Sequence, residues 1–437
     1  MRAASILRYA VTPILACAFC AVAYAATHYV RSPGTCTNTA LQYPYTNWDT
    51  AATQIHWAVD AAVGGDTVLV SNGTYYLTNK VSIAVALTTT SVNGRNVTIV
   101  DGNNYPGKQV TNRCFSILAA AILDGFTVRN GFVSGGGGGI YCSSGGQVKN
   151  CLITANTSTN TSNNGGGIYL LDGTISNCDI IGNLSAYGMG GGIFANGTSW
   201  VINCAIASNT ASPMSTGGEV KGGGIFAFGN SVVIDKCNIY ENDATGSAGQ
   251  GGGALLQNGP ILRNSLVYNN RANNGEGGGV FIYYSYGKIQ NCTIVSNYAN
   301  NGGGIWASTA AQNTSYIENT VCYLNRGASS NFYVSTVLGN TGYLYIVNSC
   351  IAPTSAFPTA AIAGYYYANN IQTNPQFAGK DAGNFRLGQG SPCINSGTNE
   401  SWMNLDLDGH SRIDRFSGMA DMGCYEYIFT GMKFDAR

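Results

Sequence analysis

Charge is scarce in this chain of 437 residues: Asp, Glu, Lys and Arg together make up 10% of it, against about a quarter in an ordinary globular protein. The 21 basic and 21 acidic residues cancel and form no basic block. A nucleic acid or an acidic membrane surface therefore has no electrostatic footprint to bind, and nucleic acid is excluded as a partner. Histidine is rarer still. His28, His56 and His410 are the only three, and none falls in the central repeat described below. No apolar run reaches the roughly 18 to 20 residues of a membrane span, so no transmembrane span is expected in the mature chain. The repeat region also lacks the stripe of an amphipathic helix.

What the chain has in excess is glycine, 59 residues, together with 27 Tyr, 15 Phe and 5 Trp. The aromatics, with abundant Ile and Val, argue against disorder. At the N-terminus Arg2 and Arg8 precede an apolar stretch, Tyr9 to Ala23, and Ala23-Tyr24-Ala25 offers small residues where a signal peptidase reads. Residues 1–25 are accordingly read as an export signal, with Ile14-Leu15-Ala16-Cys17 as a looser lipobox alternative. The expected location is extracellular or on the cell surface, with outer-membrane association or the periplasm as variants.

Glycine is distributed periodically. Triplets followed by an apolar residue begin at Gly137, Gly165, Gly190, Gly222, Gly251, Gly277 and Gly302, spaced 25 to 32 residues apart. A second marker follows each triplet: Asn150-Cys151, Asn177-Cys178, Asn203-Cys204, Lys236-Cys237, Asn264-Ser265, Asn291-Cys292 and Asn319-Thr320. Five residues beyond each Cys, Ser or Thr stands a further Asn: 156, 183, 209, 242, 270, 297 and 325. Between these markers apolar residues alternate with period two, as in Cys178-Asp179-Ile180-Ile181, which is strand behaviour. A unit of this length cannot close a core alone, so successive units must stack.

The expected fold is therefore all-β, a parallel β-helix solenoid. Its Cys and the apolar residue two positions later face the bore, its corner Asn residues form amide ladders, and its Gly triplets serve the sharp turns. Stacked cysteines such as Cys151, Cys178, Cys204 and Cys237 would hold their Cβ atoms about 4.8 Å apart, beyond disulfide separation. They read as small buried apolar fillers. They occur singly per unit, which is not a metal-binding pattern. Cys36, Cys114, Cys142, Cys322, Cys350, Cys393 and Cys424 lie off the ladder or near the ends, where bridges are open but their pairing is not legible.

The organisation expected is a signal at 1–25, an N-terminal segment with a capping helix at 26–65, the β-helix at 66–370 and an irregular cap at 371–437. The capping helix is placed within Trp48 to Val63, with Ile55, Trp57, Ala58, Val59 and Ala62 as its apolar residues. A cap at each end answers the aggregation hazard of an open strand edge.

Three segments carry a resemblance. Ala58-Val59-Asp60-Ala61-Ala62 through Gly65-Asp66-Thr67-Val68-Leu69-Val70 to Gly73-Thr74-Tyr75 resembles the start of pectin-lyase-like right-handed β-helix proteins. The tail Ser391-Pro392-Cys393-Ile394-Asn395-Ser396-Gly397, Asp406-Leu407-Asp408-Gly409 and Asp421-Met422-Gly423-Cys424-Tyr425-Glu426-Tyr427 resembles choice-of-anchor Q surface proteins. The Gly-Gly-Gly-Ile copies are similar to the repeats of polymorphic outer-membrane proteins, although the Phe of their FxxN motif does not recur. The resemblance implies a right-handed coil and a cell-surface class. It does not fix an activity.

Two functions follow from the residues. The first is an exported, non-catalytic protein whose polar face meets polysaccharide, matrix or cell-surface components. The second is a polysaccharide lyase or glycoside hydrolase, which needs two carboxylates across a glycosidic bond or a base with a cation cluster. Polygalacturonase-like signatures (Asn-Thr-Asp, paired Asp, Gly-His-Gly, Arg-Ile-Lys) are missing. Length variation collects between each corner Asn and the next Gly triplet, with Thr210 to Lys221 longest, and solenoids bind on such a side. Glu219, Lys221, Glu241, Asp243 and Glu276 are the catalytic candidates there, against the plainer reading of solvated turn charges. No cofactor is expected, with calcium at Asp406, Asp408 and Asp414 as the one alternative to a purely structural cap braced by Arg412.

Overall fold

In the computed structural model the residues described are 25–32, 41–104, 111–159, 164–213, 218–283, 286–309, 313–329, 331–336, 343–352 and 365–429. The export signal, apart from Ala25, lies outside them, as do Cys17, Cys20 and Cys36. The described chain winds into a solenoid whose coils contribute to three parallel sheets. One coil illustrates the course. Ile168–Ser176 lies in the first sheet, Asn177 turns the corner, Asp179–Ile181 enters the second, and Leu184–Ser185 enters the third. Register is maintained from coil to coil, so that Ile153, Ile180, Ile206, Ile239, Val267 and Ile294 form one column. These residues and the inward positions of the first sheet fill the bore, fully buried.

Each sequence marker has a distinct physical task. At Gly222-Gly223-Gly224 the first residue adopts φ 68°, which a side chain tolerates poorly. A Cβ on the second would collide with the carbonyl of Gly252, and on the third would lie 2.9 Å from the Asn242 amide carbon. In this coil glycine at all three positions lets the turn lie flat on its neighbours.

The two Asn columns differ. Asn150, Asn177, Asn203, Asn264, Asn291 and Asn319 take the left-handed conformation, φ 48–54°, at the corner between the first and second sheets. Asn reaches that region at low cost because its short side chain bonds locally. The second column, Asn156 to Asn325, is buried and forms the expected ladder. Asn242 Nδ2 donates to Ile206 O at 2.8 Å and to Asn270 Oδ1 at 2.9 Å, while its Oδ1 accepts Asn209 N and Nδ2, both at 3.0 Å. Every donor and acceptor of the amide is occupied.

The cysteine column is not inert filler. Cys178 Sγ donates to Ser176 O at 3.2 Å and accepts Cys151 N at 3.4 Å. Ser265 and Thr320, at equivalent positions, do the same with hydroxyls: Ser265 Oγ donates to Arg263 O at 2.7 Å and accepts Cys237 N at 3.1 Å. The position needs a small donor–acceptor, which is why Cys, Ser and Thr alternate there. No disulfide joins the described cysteines.

The ends differ from expectation. The helix spans Ile55–Ala61 and buries Ile55, Ala58 and Val59, while Trp57 is 39% exposed. Ile55, Ala58, Val59 and Ala62 follow i, i+3, i+4, i+7 spacing, and Trp57 falls off that stripe. Parallel pairing also begins before the helix, because Thr27–Val30 pairs in register with Thr67–Val70. His28 and Asp66 fix this junction at 2.9 Å, and Asp66 also accepts Ala26 N and Val63 N.

The last parallel strand is Tyr365–Ala368. Beyond it, Ile371 pairs with Cys350 on the last coil of the second sheet, and the C-terminal segment then folds back along that sheet's outer face. Phe385, Cys424 and Tyr425 pack on Leu266 and Val295, and Cys393 and Met422 pack on Val321 and Cys350. Cys424 N donates to Thr293 Oγ1 at 3.1 Å, and the Asn319 side chain exchanges two hydrogen bonds with the Thr398 backbone, both 2.8 Å. No helix among the described residues is long and apolar enough to cross a membrane.

Candidate functional site

The variable segments preceding the Gly triplets form the third sheet, and this sheet presents two outward columns. One runs Leu184, Thr210, Asp243, Arg271, Tyr298. The other runs Met189, Lys221, Gln250, Glu276, Asn301. Coil spacing of about 4.8 Å separates neighbours in a column.

The five candidate residues do not meet at one point. Glu241 occupies the corner before the Asn ladder, exposed, with φ 54°, and accepts Ser208 Oγ at 3.4 Å. Asp243 is half-buried beside Arg271. Burial raises its carboxyl above the usual range and the guanidinium opposes the shift. Lys221 lies over the Tyr283 ring at 5.4 Å. Glu219 belongs to the strand Glu219–Lys221, in register with Ala248, and its side chain is outside what the structure describes.

Glu276 lines a cavity of about 240 Å³, which it shares with Gln250, Asn274, Asn300 and Asn301. Three consecutive coils contribute these groups. Desolvation raises the Glu276 carboxyl above its ordinary range, and Gln250 Oε1 is buried without a hydrogen-bond partner among the described residues. The cavity thus offers amide donors and acceptors and one easily protonated carboxyl, the chemistry that recognises hydroxyl groups. Lysis or hydrolysis would require a second acid or a base opposite Glu276, and none of the other described lining residues supplies one.

Sequence reasoning missed two further features. Outside the bore, Tyr141, Tyr169, Phe194, Phe226, Leu255, Phe281, Trp306 and Tyr333 form one register column on the first sheet. Phe281 and Trp306 stack at 4.1 Å. The aromatic following each triplet carries this signal in sequence, with Leu255 as its one exception. The second is a pair of adjoining clefts sharing Asn93 along the first corner. Arg31, Trp48 and Asn72 line one, and Arg95, Asp124, Asn150 and Asn177 line the other. Arg95 is itself engaged, at 2.7 Å from Asp179.

The sequence matches the family described as right handed beta helix region over residues 138–351. A crystal structure of pectate lyase Pel9A aligns with 93% of this chain and 98% of its own, at TM-score 0.55 and 16% identity. The solenoid is a right-handed parallel β-helix. A rhamnogalacturonan lyase (TM-score 0.45, 15% identity, 88% of this chain and 99% of its own) is also similar to it. So is a XylC–xylose complex (0.46, 11%, 92% and 98%). No curated protein matches the chain by sequence.

In the segment that follows the β-helix, the acidic residues are mostly engaged. Asp406, Asp408 and His410 have ligand atoms within 4.8 Å of one another, and Asp414 is not of that group. Asp406 is fully buried and accepts His410 N at 2.7 Å and Glu426 N at 2.8 Å. Asp408 accepts Arg386 Nε and Nη2, both at 2.6 Å. Asp414 accepts Phe416 N and Ser417 N within its own turn, bonds that hold its carboxyl below the usual range. A calcium ion at Asp408 would have to displace Arg386. Arg412, expected to brace these aspartates, instead pairs with Glu426 at 2.7 Å and donates to Gly423 O.

Proposed function

We propose that the chain is an exported or cell-surface β-helix that binds polysaccharide on its loop-bearing side and does not cleave it. The observation that carries this reading is the polar cavity of Gln250, Asn274, Glu276, Asn300 and Asn301. It is built from three successive coils, so a chain lying along the solenoid axis meets one set of amides per coil. The pectate lyase likeness adds that this scaffold can present saccharide-length surfaces. The signal-like N-terminus supports the exported location.

Affinity electrophoresis against a panel of neutral and acidic polysaccharides tests the proposal. Retardation by at least one polymer, weakened severalfold by Asn301→Ala and Glu276→Gln, is the expected result, with no new reducing ends or unsaturated products. A second reading is kept alive by the raised Glu276 carboxyl, a property of general acids. Depolymerisation that Glu276→Gln abolishes would replace the binding reading with a lyase or hydrolase.

A further inference from the structure

The described cysteines of the β-helix bore are held apart by strand register, whereas Cys350 and Cys393 are not. Cys350 ends the second sheet, in Cys350–Ile351, and Cys393 lies in the segment folded back over that sheet. Both are fully buried, and they pack together with Val321, Leu387 and Met422. The two side chains share one buried cluster, and each stands in the other's surroundings. The backbones that carry them converge on one stretch: Cys350 Sγ donates to Thr373 O at 3.3 Å, and Ser391 Oγ donates to Pro375 O at 2.6 Å. Cys393 N in turn donates to that Ser391 hydroxyl at 3.2 Å. No strand pairing joins the two residues, so register does not hold these sulfurs apart as it does those of the bore.

We propose that Cys350 and Cys393 form a disulfide that fastens the C-terminal segment to the last coils. The inference rests on the exported reading, because such bonds persist in oxidising compartments. One S–S bond forms and two S–H bonds break. The two electrons and two protons pass by thiol–disulfide exchange to a protein or low-molecular-weight disulfide, whose own S–S bond breaks to give two thiols. Exchange needs a thiolate, and in the folded protein the contact with Cys393 and burial both push the Cys350 thiol far up. The bond therefore forms while the segment is still docking, and the folded reduced protein resists later oxidation.

The test is peptide mapping by mass spectrometry of the full chain refolded in a glutathione redox buffer, alkylated without reduction. A peptide linking Cys350 to Cys393 is the expected product. Its counterpart is a severalfold rise in limited proteolysis of the C-terminal segment in Cys350→Ser and in Cys393→Ser alike, with no further rise in the double variant. Recovery of both cysteines alkylated, or either linked to another cysteine, would overturn the proposal. Mapping the protein recovered from its native compartment separates the two premises. Free thiols there, with the linked peptide present after refolding, would sink the exported reading and leave the pairing standing.

Discussion

Asn242→Ala is the sharpest probe of what holds the coils together. The side chain of Asn242 makes four hydrogen bonds, two as donor and two as acceptor, and is 1% exposed. Alanine removes the acceptor of the Asn209 backbone N–H and of one Asn209 amide hydrogen, at a position water does not reach. Each orphaned buried donor costs about 1–3 kcal/mol, so the variant loses about 2–6 kcal/mol. The matched control is Asn203→Gly in the other Asn column. Asn203 is exposed with φ 52°, a conformation Gly adopts freely, and its side chain makes one exposed bond to Asn177 Oδ1 at 2.7 Å. That change costs about 0.5 kcal/mol or less. Denaturant unfolding followed by circular dichroism reads both. Equal midpoints for the two variants would refute the assignment of distinct roles to two Asn positions that look alike in the repeat.

Cys204→Ser should leave the unfolding midpoint nearly unchanged, whereas Cys204→Val should lower stability by about 1 kcal/mol, since valine removes the bond the thiol donates to Ile202 O. Similar losses for both would restore the filler reading. Arg412→Met should cost about 1.5–3 kcal/mol in the C-terminal segment by removing the bonds Arg412 donates to Glu426 Oε1 and Gly423 O, which protection from hydrogen exchange at Met422 and Cys424 would report. Burial lifts the Glu426 carboxyl to about 8 despite the opposing Arg412. A carboxyl raised on folding stabilises at low pH, so this contribution is full below about pH 4.5 and lost as pH rises through 8. Glu426→Gln should flatten that decline, and an unaltered pH profile would exclude Glu426 as its source. Glu241→Gly should raise stability by about 0.5–1 kcal/mol, because Glu241 bears a left-handed backbone without compensating local bonds from its own side chain. A fall in midpoint would show that its contact with Ser208 matters more.

The coil was readable because its constraints are local and repeated. A Gly triplet, a left-handed corner and an Asn at fixed distance each answer to a neighbour one coil away, so the same demand is written many times. The thiol–carbonyl bonds were not readable, since Cys is equally consistent with packing alone. Only its exchange with Ser265 and Thr320 hinted otherwise. The course of the C-terminal segment was hidden for a different reason. Its anchors, such as Cys424 to Thr293 and Thr398 to Asn319, join residues far apart in sequence and occur once. The candidate carboxylates share one side of the solenoid, as length variation suggested. Sequence spacing could not show that Asp243 faces Arg271 while Glu276 enters a cavity, because these outcomes depend on which of two columns each residue occupies.

The Asn ladder passes an identical pair of acceptor and donor from every coil to the next. An interface that repeats itself in this way has no memory of position. A whole coil, from one Gly triplet to the next, can be duplicated or removed while the faces that remain still match. Lineages carrying this architecture can thus change the length of their binding surface in steps of one coil without redesigning the core.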